Sequence, residues 1–490
     1  MSISRREILK LSASGLAYVI GSQLFFGEKV SAEVIQKFGA SSGADFIKSL
    51  PHFDGVYIFD PQGLATFAED FGHSVHKTPL GALKPAHAKD IQKMAKYCNE
   101  KGIKLTMRGT GGAAYGQTQL DKGIIIDSSS MKSMKWRTDE LVELDPGLIW
   151  TEVLDFTIQK KRSPPVLPDT IVTSVGGKAN VGGIGETSYN LGSIVDQIVE
   201  FDLVLANGQL LTCSPHKNAR LFEAALGSMG QFGFMTRVVM KTMPAADTVY
   251  SWEFKYDGHD GSYLKDLEIL LAEEPNGAMA GHLVRNADGK TFTYVLDVTS
   301  FSSEKPAWLD KISAKPVTDT KKWSYYDYAN RNTKGWLDAV ASGAARLPHP
   351  YMAFHLPFEK TQEMASFLQE NDLANLGAGR IMVSPLINKS FGSSSFELPD
   401  CEITSHFRIY RIVRNGENGP DHQKMLADNL NEIVPKVFEM GGKVYLPFSP
   451  LLTQQQVRQH FGSGKFLHLS WMKTLLDPRK LLNSGAGIFK

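Results

Sequence analysis

The sequence predicts a multi-domain α+β protein, and three observations lead to that prediction. Its 490 residues are roughly three times the usual domain size, so two or three packed units are expected. Helix-like and strand-like segments alternate from about Pro85. After about Pro244, strand-like runs alternate with polar loops, which indicates a second domain with an antiparallel sheet.

Local patterns predict the elements of the first half. Apolar residues at helical spacing predict a helix over Ala88 to Gly102, with Gly102 as its C-cap. A hairpin over Phe201 to Cys213 is predicted to turn at Asn207-Gly208, a preferred two-residue turn sequence. Other strands are predicted at Lys104 to Met107, Gly123 to Asp127, Glu140 to Asp145 and Thr236 to Met240, and a short helix at Leu221 to Gly227.

Composition excludes several classes of protein. Lys plus Arg number 53 against 52 for Asp plus Glu, so no charge bias favours nucleic acid or an anionic membrane as a partner. The 42% hydrophobic and 21% charged content is that of a globular protein. Cys98, Cys213 and Cys401 are too few and too scattered for a disulfide framework or a zinc site, so no metal is expected.

The N-terminus has the pattern of an export signal. Arg5-Arg6 precede an apolar stretch from about Leu11 to Phe26, which is short of the roughly 20 apolar residues that span a bilayer. Val30-Ser31-Ala32 offers a small-residue cleavage site. The segment Ser4 to Lys10 resembles a twin-arginine signal, which implies bacterial export of the mature protein to the periplasm or medium, with no membrane span left after residues 1–32 are removed. The alternative is an amphipathic helix packed on the body.

A glycine-rich run follows the predicted strand at 104–107. Backbone amides of Arg108 to Gln117 (RGTGGAAYGQ) are little shielded by side chains and can surround a phosphate or pyrophosphate. The spacing approximates a dinucleotide-binding fingerprint, but that motif needs a helix to begin at once. Because Tyr115 to Thr118 and Gly123 interrupt any helix, a Rossmann fold is excluded on context.

Two more glycine clusters lie in the same half, at Asp169 to Gly185 and at Leu226 to Gly233. A tight turn explains any one of the three clusters. Three of them separated by strands are better explained by backbone packed along a long ligand.

These motifs carry a family resemblance. RGTGGAAYGQ (108–117), GIIID (123–127), PGLIW (146–150), DTIVTSVGGKANVGGIG (169–185) and LGSMGQFGFMTR (226–237) resemble the FAD-binding domain of vanillyl-alcohol-oxidase (PCMH-type) flavoenzymes. Within that superfamily the sequence is most similar to cytokinin dehydrogenases, through the spacing of Asp169 from Gly176-Gly177. Further matches are Thr212-Cys213-Ser214, His349-Pro350, Lys443 to Pro447, His460-Phe461-Gly462 and the closing segment from Asp477 to Phe489.

The resemblance covers nearly all of the sequence from about Pro85 and implies a two-domain arrangement. The FAD domain is split, and an α+β substrate domain built on an antiparallel sheet is inserted into it. The implied boundaries are 33–245 for the first part of the FAD domain, 246–440 for the substrate domain and 441–490 for the C-terminal return.

The resemblance also implies FAD as cofactor, with its pyrophosphate on the 108–113 loop and Tyr445 near the isoalloxazine ring. Residues expected near FAD are Arg108, Gly109, Thr110, Gly111, Gly112, Ala113, Gln117, Asp169, Ser174, Gly176, Gly177, Asn180, Ile184, Met235, Tyr445 and Asn483.

Two departures from the family pattern concern this cofactor. Relatives commonly attach FAD through the His of a G-H-S triplet, whereas Gly112 stands there in this protein, so non-covalent FAD is predicted. The tail pattern Ser-Pro-Gly-Gln is replaced by Asn483-Ser484-Gly485-Ala486, which lacks the glutamine. Since the tether tends to raise the flavin potential in this family, a strong oxidant is not expected.

Asp169 is the residue predicted to act in catalysis, by accepting a proton or hydrogen bond from the substrate while hydride leaves for the flavin. For N6-substituted adenines the product is an imine, which water splits into adenine and an aldehyde, and oxygen or a quinone then takes the electrons. Three alternatives stay open: an Asx turn at Asp169, an alcohol, lactone or hydroxy-acid substrate, and a non-catalytic flavin-binding protein. Core roles are expected for Tyr351, Phe354, Phe358, Phe391 and Phe407, with the lining of a flat pocket for a planar ring as the alternative, and structural roles for His349, His355 and His406.

Overall fold

The computed structural model describes residue 46 and residues 48–490, apart from 258–260, 287, 289–290, 372, 374–378, 393–394 and 414–419. The predicted export signal and the first residues of the predicted FAD domain lie outside this range. Within the described residues, no helix combines the length and apolar character needed to cross a membrane.

A four-stranded sheet opens the described part of the protein. Its strands and helices are β1 (Val56–Ile58), α1 (Pro61–Ala65), β2 (Gly81–Lys84), α2 (Ala88–Lys101), β3 (Leu105–Arg108) and β4 (Ile124–Asp127). The order is β1-β2-β4-β3, with β2, β4 and β3 parallel and β1 antiparallel. Helix α2 packs Ile91 and Met94 in one core cluster with Leu83 and Ile124. It ends at Gly102, whose φ of 70° confirms the predicted C-cap.

A five-stranded antiparallel sheet follows, in the order β5-β6-β10-β8-β9. The elements are β5 (Met134–Trp136), β6 (Leu141–Leu144), α3 (Trp150–Thr157), β7 (Arg162–Ser163), α4 (Val175–Val181), α5 (Ser188–Leu191), β8 (Ile198–Val204), β9 (Leu210–Cys213), α6 (Ala219–Ala225), β10 (Phe234–Lys241) and β11 (Met243–Pro244). Strands β7 and β11 pair separately. The predicted hairpin is confirmed, because Phe201 pairs with Cys213 and Gly208 turns the backbone at φ 83°.

The second half is built on one eight-stranded sheet, in the order β15-β12-β14-β13-β17-β18-β16-β19. The elements are β12 (Val249–Asp257), α7 (Ser262–Glu273), β13 (Gly277–Arg285), β14 (Phe292–Ser300), β15 (Lys321–Trp323), α8 (Tyr325–Ala341), β16 (Met352–Pro357), α9 (Thr361–Glu370), β17 (Arg380–Ile387), β18 (Ile403–Tyr410), α10 (Pro420–Asp428), α11 (Val434–Glu439) and β19 (Lys443–Val444). Every pairing is antiparallel, which confirms the sheet type predicted for this half.

Alternation along β16 and β18 gives this sheet an apolar and a polar face. Phe354 and Phe407 are fully buried and stack with ring centres 5.1 Å apart. On the opposite face, His355 pairs in register with His406, and Arg408 comes two residues later. The polar face therefore carries polar and charged side chains that do not belong to the apolar core.

The C-terminal segment returns to the first sheet through α12 (Gln454–Phe461) and α13 (Ser463–Leu476). Leu105 N donates to Leu481 O at 3.0 Å, and Asn483 N donates to Leu105 O at 2.9 Å, so the tail lies along β3. The first domain is therefore split, with the second half of the protein inserted between its two parts, as the resemblance implies. The exact boundaries stay predictions. Strand β19 lies past the predicted boundary at 440 and still pairs with β16, through Phe354 and Val444.

Candidate functional site

A cavity with about 980 Å³ of empty space, partly open to solvent, lies where the split domain comes together. The end of β3 and the loop after it, helix α4, the start of β10 and two segments of the C-terminal return form its walls. The lining residues are Met107, Arg108, Gly109, Thr110, Gly111, Gly112, Ala113, Thr118, Ser128, Thr173, Ser174, Gly176, Gly177, Lys178, Asn180, Val181, Met229, Gly230, Phe234, Tyr445, Pro447, Phe448 and Asn483.

The glycine-rich loop forms one wall of the cavity. Because glycine has no side chain, the backbone itself faces the cavity there. Gly111 has a φ of 74°, a left-handed conformation that glycine adopts without steric cost. A Cβ at Gly109 would collide with Ser174 Oγ. At Gly112, by contrast, an added Cβ would meet only Thr173 Cγ2, 4.0 Å away. The position therefore has room for a larger residue, but glycine offers no atom for a covalent bond.

Arg108 is held by the protein beneath this loop. Its Nη1 donates to Glu69 O at 2.6 Å, and its guanidinium lies against Gly111 on the side where a Cβ would point. Asp70 contributes attraction to the same cation. Although Arg108 lines the cavity as predicted, its guanidinium is thus partly committed to shaping the loop.

The segment at 70–72 holds the glycine-rich loop in place through hydrogen bonds. Phe71 N donates to Gly111 O at 2.9 Å, and Asp70 accepts from Gly116 N at 2.7 Å. Burial raises the pKa of the Asp70 carboxyl to about 6, against the opposing effect of its N–H donors and Arg108. Sequence reasoning missed Asp70, since a lone acid before the first motif carries no recognisable pattern.

Lys178 is the other charged residue in the cavity lining, and it was also missed. It follows Ser174 by one turn of α4, so both lie on one face of the helix. Within the described residues its ammonium group has neither an acidic partner nor a hydrogen bond, and burial alone lowers its pKa to about 8. An amine with that pKa is still mostly protonated at pH 7, so an uncompensated positive charge lines the cavity.

Twelve of the sixteen residues predicted near FAD line this one cavity, and four do not: Gln117, Asp169, Ile184 and Met235. Gln117 is buried and donates to Leu446 O at 3.1 Å, which holds the return segment against the loop. Ile184 and Met235 are buried side chains outside the lining. Contact of these residues with the cofactor stays a prediction.

Asn483 closes the cavity from the C-terminal return. Its side-chain amide bonds to Thr106 Oγ1 and Met229 O, and its carbonyl accepts from Gln231 Nε2 at 3.0 Å. The residue replacing the family's tail serine is therefore engaged with the protein on both sides of the cavity.

Tyr445 forms the end of the cavity nearest the large sheet. It is buried, with ring centres of His406, Phe396 and Phe448 at 5.8, 5.9 and 5.9 Å. Burial raises the pKa of its phenol, so the hydroxyl stays neutral at physiological pH.

Asp169 meets Arg408 of β18, which is close enough to Tyr445 to act electrostatically on its phenol. Asp169 Oδ2 accepts from Arg408 Nη1, and Arg408 Nη2 donates to Ser384 Oγ at 3.0 Å. The two side chains are 11% and 8% exposed. Asp169 Oδ1 and Arg408 Nε are buried without a hydrogen-bond partner among the residues that the structure describes. An unsatisfied buried polar atom costs about 1–3 kcal/mol, and of these two residues Asp169 is the one that lines a cavity.

No sequence motif marked Arg408 or Ser384. The available signal was the polar alternation of Thr404, His406 and Arg408 along an otherwise apolar strand. Such alternation shows that one face of a strand is polar, but it does not reveal which distant residue that face meets.

A second cavity, with about 410 Å³ of empty space, includes Asp169 in its wall. Its other walls come from both halves of the protein: Pro165, Leu167, Pro168, Glu186, Thr187, Ala278, Phe301, Tyr325, Tyr328, Ala329, Arg331 and Asn332. Glu186 pairs with Arg331 and accepts from Tyr328 Oη at 2.8 Å. The Asp169 carboxylate therefore borders a space enclosed by residues of both halves.

Of the histidines and aromatic residues expected to have core or structural roles, Tyr351 and Phe391 are half-buried and the others are buried. His355 and His406 are buried and stack 4.7 Å apart, and burial lowers the pKa of His406 to about 3, so it is neutral. None of Tyr351, Phe354, Phe358, Phe391 and Phe407 is among the residues lining the two cavities.

One group within the described residues has the spacing of metal ligands: Asp54, His87 and Asp90. The Asp90 carboxylate already accepts from three backbone N–H groups, those of Asp54, Gly55 and Ala86. The cluster thus has a structural task, which is to fix the turn before α2.

Two family models match the sequence. Residues 79–214 match one described as an FAD binding domain, and residues 299–489 match one described as "Cytokinin dehydrogenase 1, FAD and cytokinin binding". An uncharacterized oxidoreductase of the fasciation locus in Rhodococcoides fascians is 26% identical over 88% of this protein and 98% of its own length. Cytokinin dehydrogenase 10 of Oryza sativa subsp. japonica is 25% identical over 86% of each protein.

Solved structures share the fold. 6-Hydroxy-D-nicotine oxidase from Arthrobacter nicotinovorans superposes with a TM-score of 0.70 at 16% identity, over 88% of this protein and 97% of the other. Xylooligosaccharide oxidase from Myceliophthora thermophila gives 0.68 at 19% identity, over 85% and 93%. A glycine-lined cavity with an uncompensated lysine fits a dinucleotide carrying a pyrophosphate. The protein is an FAD-dependent oxidoreductase related to the cytokinin dehydrogenases.

Proposed function

We propose that the protein oxidises the bond between N6 and its substituent in N6-substituted adenines, as a cytokinin dehydrogenase does. The match of residues 299–489 to the cytokinin-binding family model supports this substrate class. The structural observation that carries the proposal is the Asp169 carboxylate. It lies in the wall of the second cavity, and its Oδ1 is buried without a partner among the described residues.

The protein's own residues have separable tasks in this reaction. FAD, when bound, accepts a hydride from the carbon attached to the substrate nitrogen. Asp169 Oδ1 accepts the N–H proton, which raises electron density on nitrogen and makes the neighbouring C–H a better hydride donor. The substrate thus loses a hydride and a proton and becomes an imine, and water splits the imine into adenine and an aldehyde. Oxygen or a quinone takes the two electrons afterwards.

The residues around FAD support non-covalent binding. Ser174, Asn180 and the 108–113 loop line the cavity, and Lys178 supplies a positive charge for the phosphates. Gly112 provides no nucleophile for a tether. Acid precipitation of the purified protein is expected to release all of the yellow colour into the supernatant, whereas colour left in the pellet contradicts non-covalent attachment.

Anaerobic titration of the purified FAD-loaded protein with N6-isopentenyladenine tests the proposed activity. Bleaching of the visible flavin band is the expected result, because the substrate delivers two electrons to the flavin. A yellow protein that fails to bleach contradicts oxidation of adenine-linked amines. Mixing the reduced protein with oxygen or with a quinone then identifies the electron acceptor by the faster return of the band.

A hydroxy-acid substrate is a second candidate, and Arg408 is the observation that favours it. Guanidinium groups attract carboxylates, and Arg408 is in direct contact with the predicted proton acceptor. The same titration with a 2-hydroxy acid separates the candidates, since each predicts bleaching by one compound and not by the other.

We also propose that the protein is exported through its Arg5-Arg6 signal. In a bacterial host, cell fractionation is expected to place the mature protein outside the cytoplasm. Changing both arginines to lysine is expected to retain it inside, because the signal is read by a receptor rather than by hydrophobicity alone. An unaltered protein found wholly in the cytoplasm contradicts the proposal.

A further inference from the structure

Helix α13 carries large apolar side chains on the side that faces solvent. Leu467, Trp471 and Leu475 are 71%, 55% and 59% exposed. Because they are spaced four residues apart, they form one continuous stripe along the helix. Exposed apolar residues of a soluble protein are normally scattered singly, whereas a contiguous patch marks a surface that binds a partner.

The inner face of the same helix has the opposite character. Lys473 Nζ lies 2.8 Å from Oδ2 of Asp477, and the two side chains are 2% and 0% exposed. Lys473 also donates to Gln231 O at 2.7 Å and to Leu482 O at 3.1 Å. A helix on the surface of a soluble protein normally turns its apolar face inward. Here a buried ion pair holds the helix with its apolar stripe outward.

The balanced total charge conceals a local excess of positive charge around this helix. Residues 441–490 contain seven Lys and Arg residues and a single acidic residue, whereas the whole protein has a formal net charge of +1. The guanidinium of Arg458 lies 5.6 Å from the ring centre of Phe466 in the first turns of α13. Arg479 and Lys480 come directly after its last turn and are exposed. Cations therefore lie at both ends of the helix that bears the stripe.

This combination fits an anionic bilayer better than a second copy of the protein. If two α13 helices paired about a twofold axis, the cations at the ends of one would meet those of the other and repel them. Three side chains also supply only a fraction of the about 800 Å² that each partner buries in a standard protein interface. A bilayer interface accepts Trp and Leu at the boundary of the acyl chains, and its anionic headgroups attract Lys and Arg.

We propose that the exposed face of α13 docks the protein on an anionic phospholipid bilayer, lying in the interface without crossing it. Leu467, Trp471 and Leu475 enter the boundary between headgroups and acyl chains. Arg479 and Lys480 bind the phosphates of the headgroups. Two signals of this kind, apolar insertion and charge, are what reversible attachment to a membrane surface needs. The inference does not depend on the proposed substrate.

Binding to lipid vesicles tests the proposal. The FAD-loaded protein is used without residues 1–32, because the apolar stretch of the predicted signal could bind lipid by itself. Sedimentation with vesicles of phosphatidylglycerol and phosphatidylethanolamine is compared with sedimentation with phosphatidylcholine alone. The anionic vesicles are expected to bind at least about tenfold more tightly, and salt is expected to weaken that binding. Absence of binding to the anionic vesicles, or equal binding to both kinds, overturns the proposal.

The apolar stripe is tested with the double variant Trp471→Ser and Leu475→Ser. Its affinity for the anionic vesicles is expected to fall at least about tenfold, because two apolar side chains no longer leave water. Val56→Ser with Val284→Ser is the matched control, since both valines are exposed elsewhere on the protein. FAD content, which both double variants are expected to retain, is the check on folding. Equal affinities in the two double variants overturn the assignment of α13.

The positive charge is tested separately with Arg479→Gln and Lys480→Gln. This double variant is expected to lose about tenfold in affinity for the anionic vesicles. Lys321→Gln with Lys322→Gln is the control, because these lysines are also adjacent in sequence and exposed. Equal losses in the two double variants mean that the attraction comes from net charge and not from the end of α13, which overturns the role given to Arg479 and Lys480.

Trp471 also reports insertion directly. All seven tryptophans lie in the described part of the protein, and Trp471 is the only exposed one. Vesicles with brominated acyl chains are expected to quench part of the tryptophan fluorescence, and Trp471→Phe is expected to lose this quenching while it still binds. Light scattering of the protein without lipid tests the other occupant. A stable dimer that dissociates in Trp471→Ser with Leu475→Ser overturns the proposal, because a second copy then covers the stripe.

Discussion

The cofactor cavity and the substrate side are built in different ways, although Tyr445 joins them. In the cofactor cavity, a wall of backbone and small residues at 108–113 faces the ligand, and its shape depends on turns and close approach. On the proposed substrate side, the polar atoms belong to side chains from segments far apart in sequence, Asp169 and Arg408. The first region recognises a shape, and the second positions a charge.

The difference has an energetic consequence. A backbone wall loses little conformational entropy when the ligand binds, because its conformation is already fixed by the fold. A buried ion pair costs desolvation free energy that its partner must offset, and removal of one member leaves the other charge uncompensated. Substitutions on the substrate side should therefore affect turnover sharply, whereas single substitutions in the cofactor cavity should have graded effects on FAD binding.

The largest effect is expected from Asp169→Asn. The amide keeps an oxygen for Arg408 but cannot take the substrate proton, so kcat is expected to fall about 10²- to 10⁴-fold. FAD content and the flavin spectrum are expected to stay unchanged. Single-turnover flavin reduction by N6-isopentenyladenine measures the effect directly. Full turnover in this variant, with FAD retained, would show that Asp169 is a turn residue and not the proton acceptor.

How far sequence could predict each region follows from the same difference. The loop at 108–113 and the Asp169 to Gly185 cluster are each continuous in sequence. Their glycines and turn residues are close neighbours there, so the sequence alone predicts that these segments form a wall of the cavity. The approach of Arg408 to Asp169 bridges 239 positions and depends on how the large sheet packs against the first half. Strand alternation shows which face Arg408 occupies but does not reveal its partner. Lys178 was not predicted as a site residue, because a single lysine in a helix is usually exposed to solvent.

The next effect concerns Asp70, in the segment at 70–72 that is hydrogen-bonded to the cofactor loop. The pKa of Asp70 is raised to about 6 from an ordinary 3.8, so the folded protein binds a proton that the unfolded protein does not bind between these values. As pH falls from 7 to 4, the unfolding free energy of the unaltered protein is expected to rise by up to about 3 kcal/mol relative to Asp70→Asn. Urea unfolding of the two proteins at several pH values measures this difference.

Asp139→Asn is the matched control, because its carboxylate is fully exposed. This control is expected to follow the unaltered protein at every pH. Parallel stability curves for the unaltered protein and Asp70→Asn would show that ionisation of Asp70 has no part in holding the loop.

A smaller effect is expected from Lys178→Met. Removing the unpaired cation from the cavity is expected to raise the dissociation constant of FAD by about tenfold, the size of one charge-assisted hydrogen bond. Lys104→Met, on the exposed side just before β3, is the control and is expected to leave FAD affinity unchanged. Quenching of FAD fluorescence by the apoprotein gives both constants. Equal affinities in all three proteins would mean that the bound phosphates lie away from Lys178.

The smallest effect is expected from Ser384→Ala, and it tests whether the substrate side depends on a fixed guanidinium. The substitution removes one hydrogen bond of 3.0 Å to Arg408 Nη2 and leaves both members of the ion pair in place. Since such a bond contributes about 1 kcal/mol, KM is expected to rise about fivefold with little change in kcat. Steady-state kinetics separates the two parameters. A fall in kcat at constant KM would mean that Ser384 aligns Asp169 for proton transfer and takes no part in substrate binding.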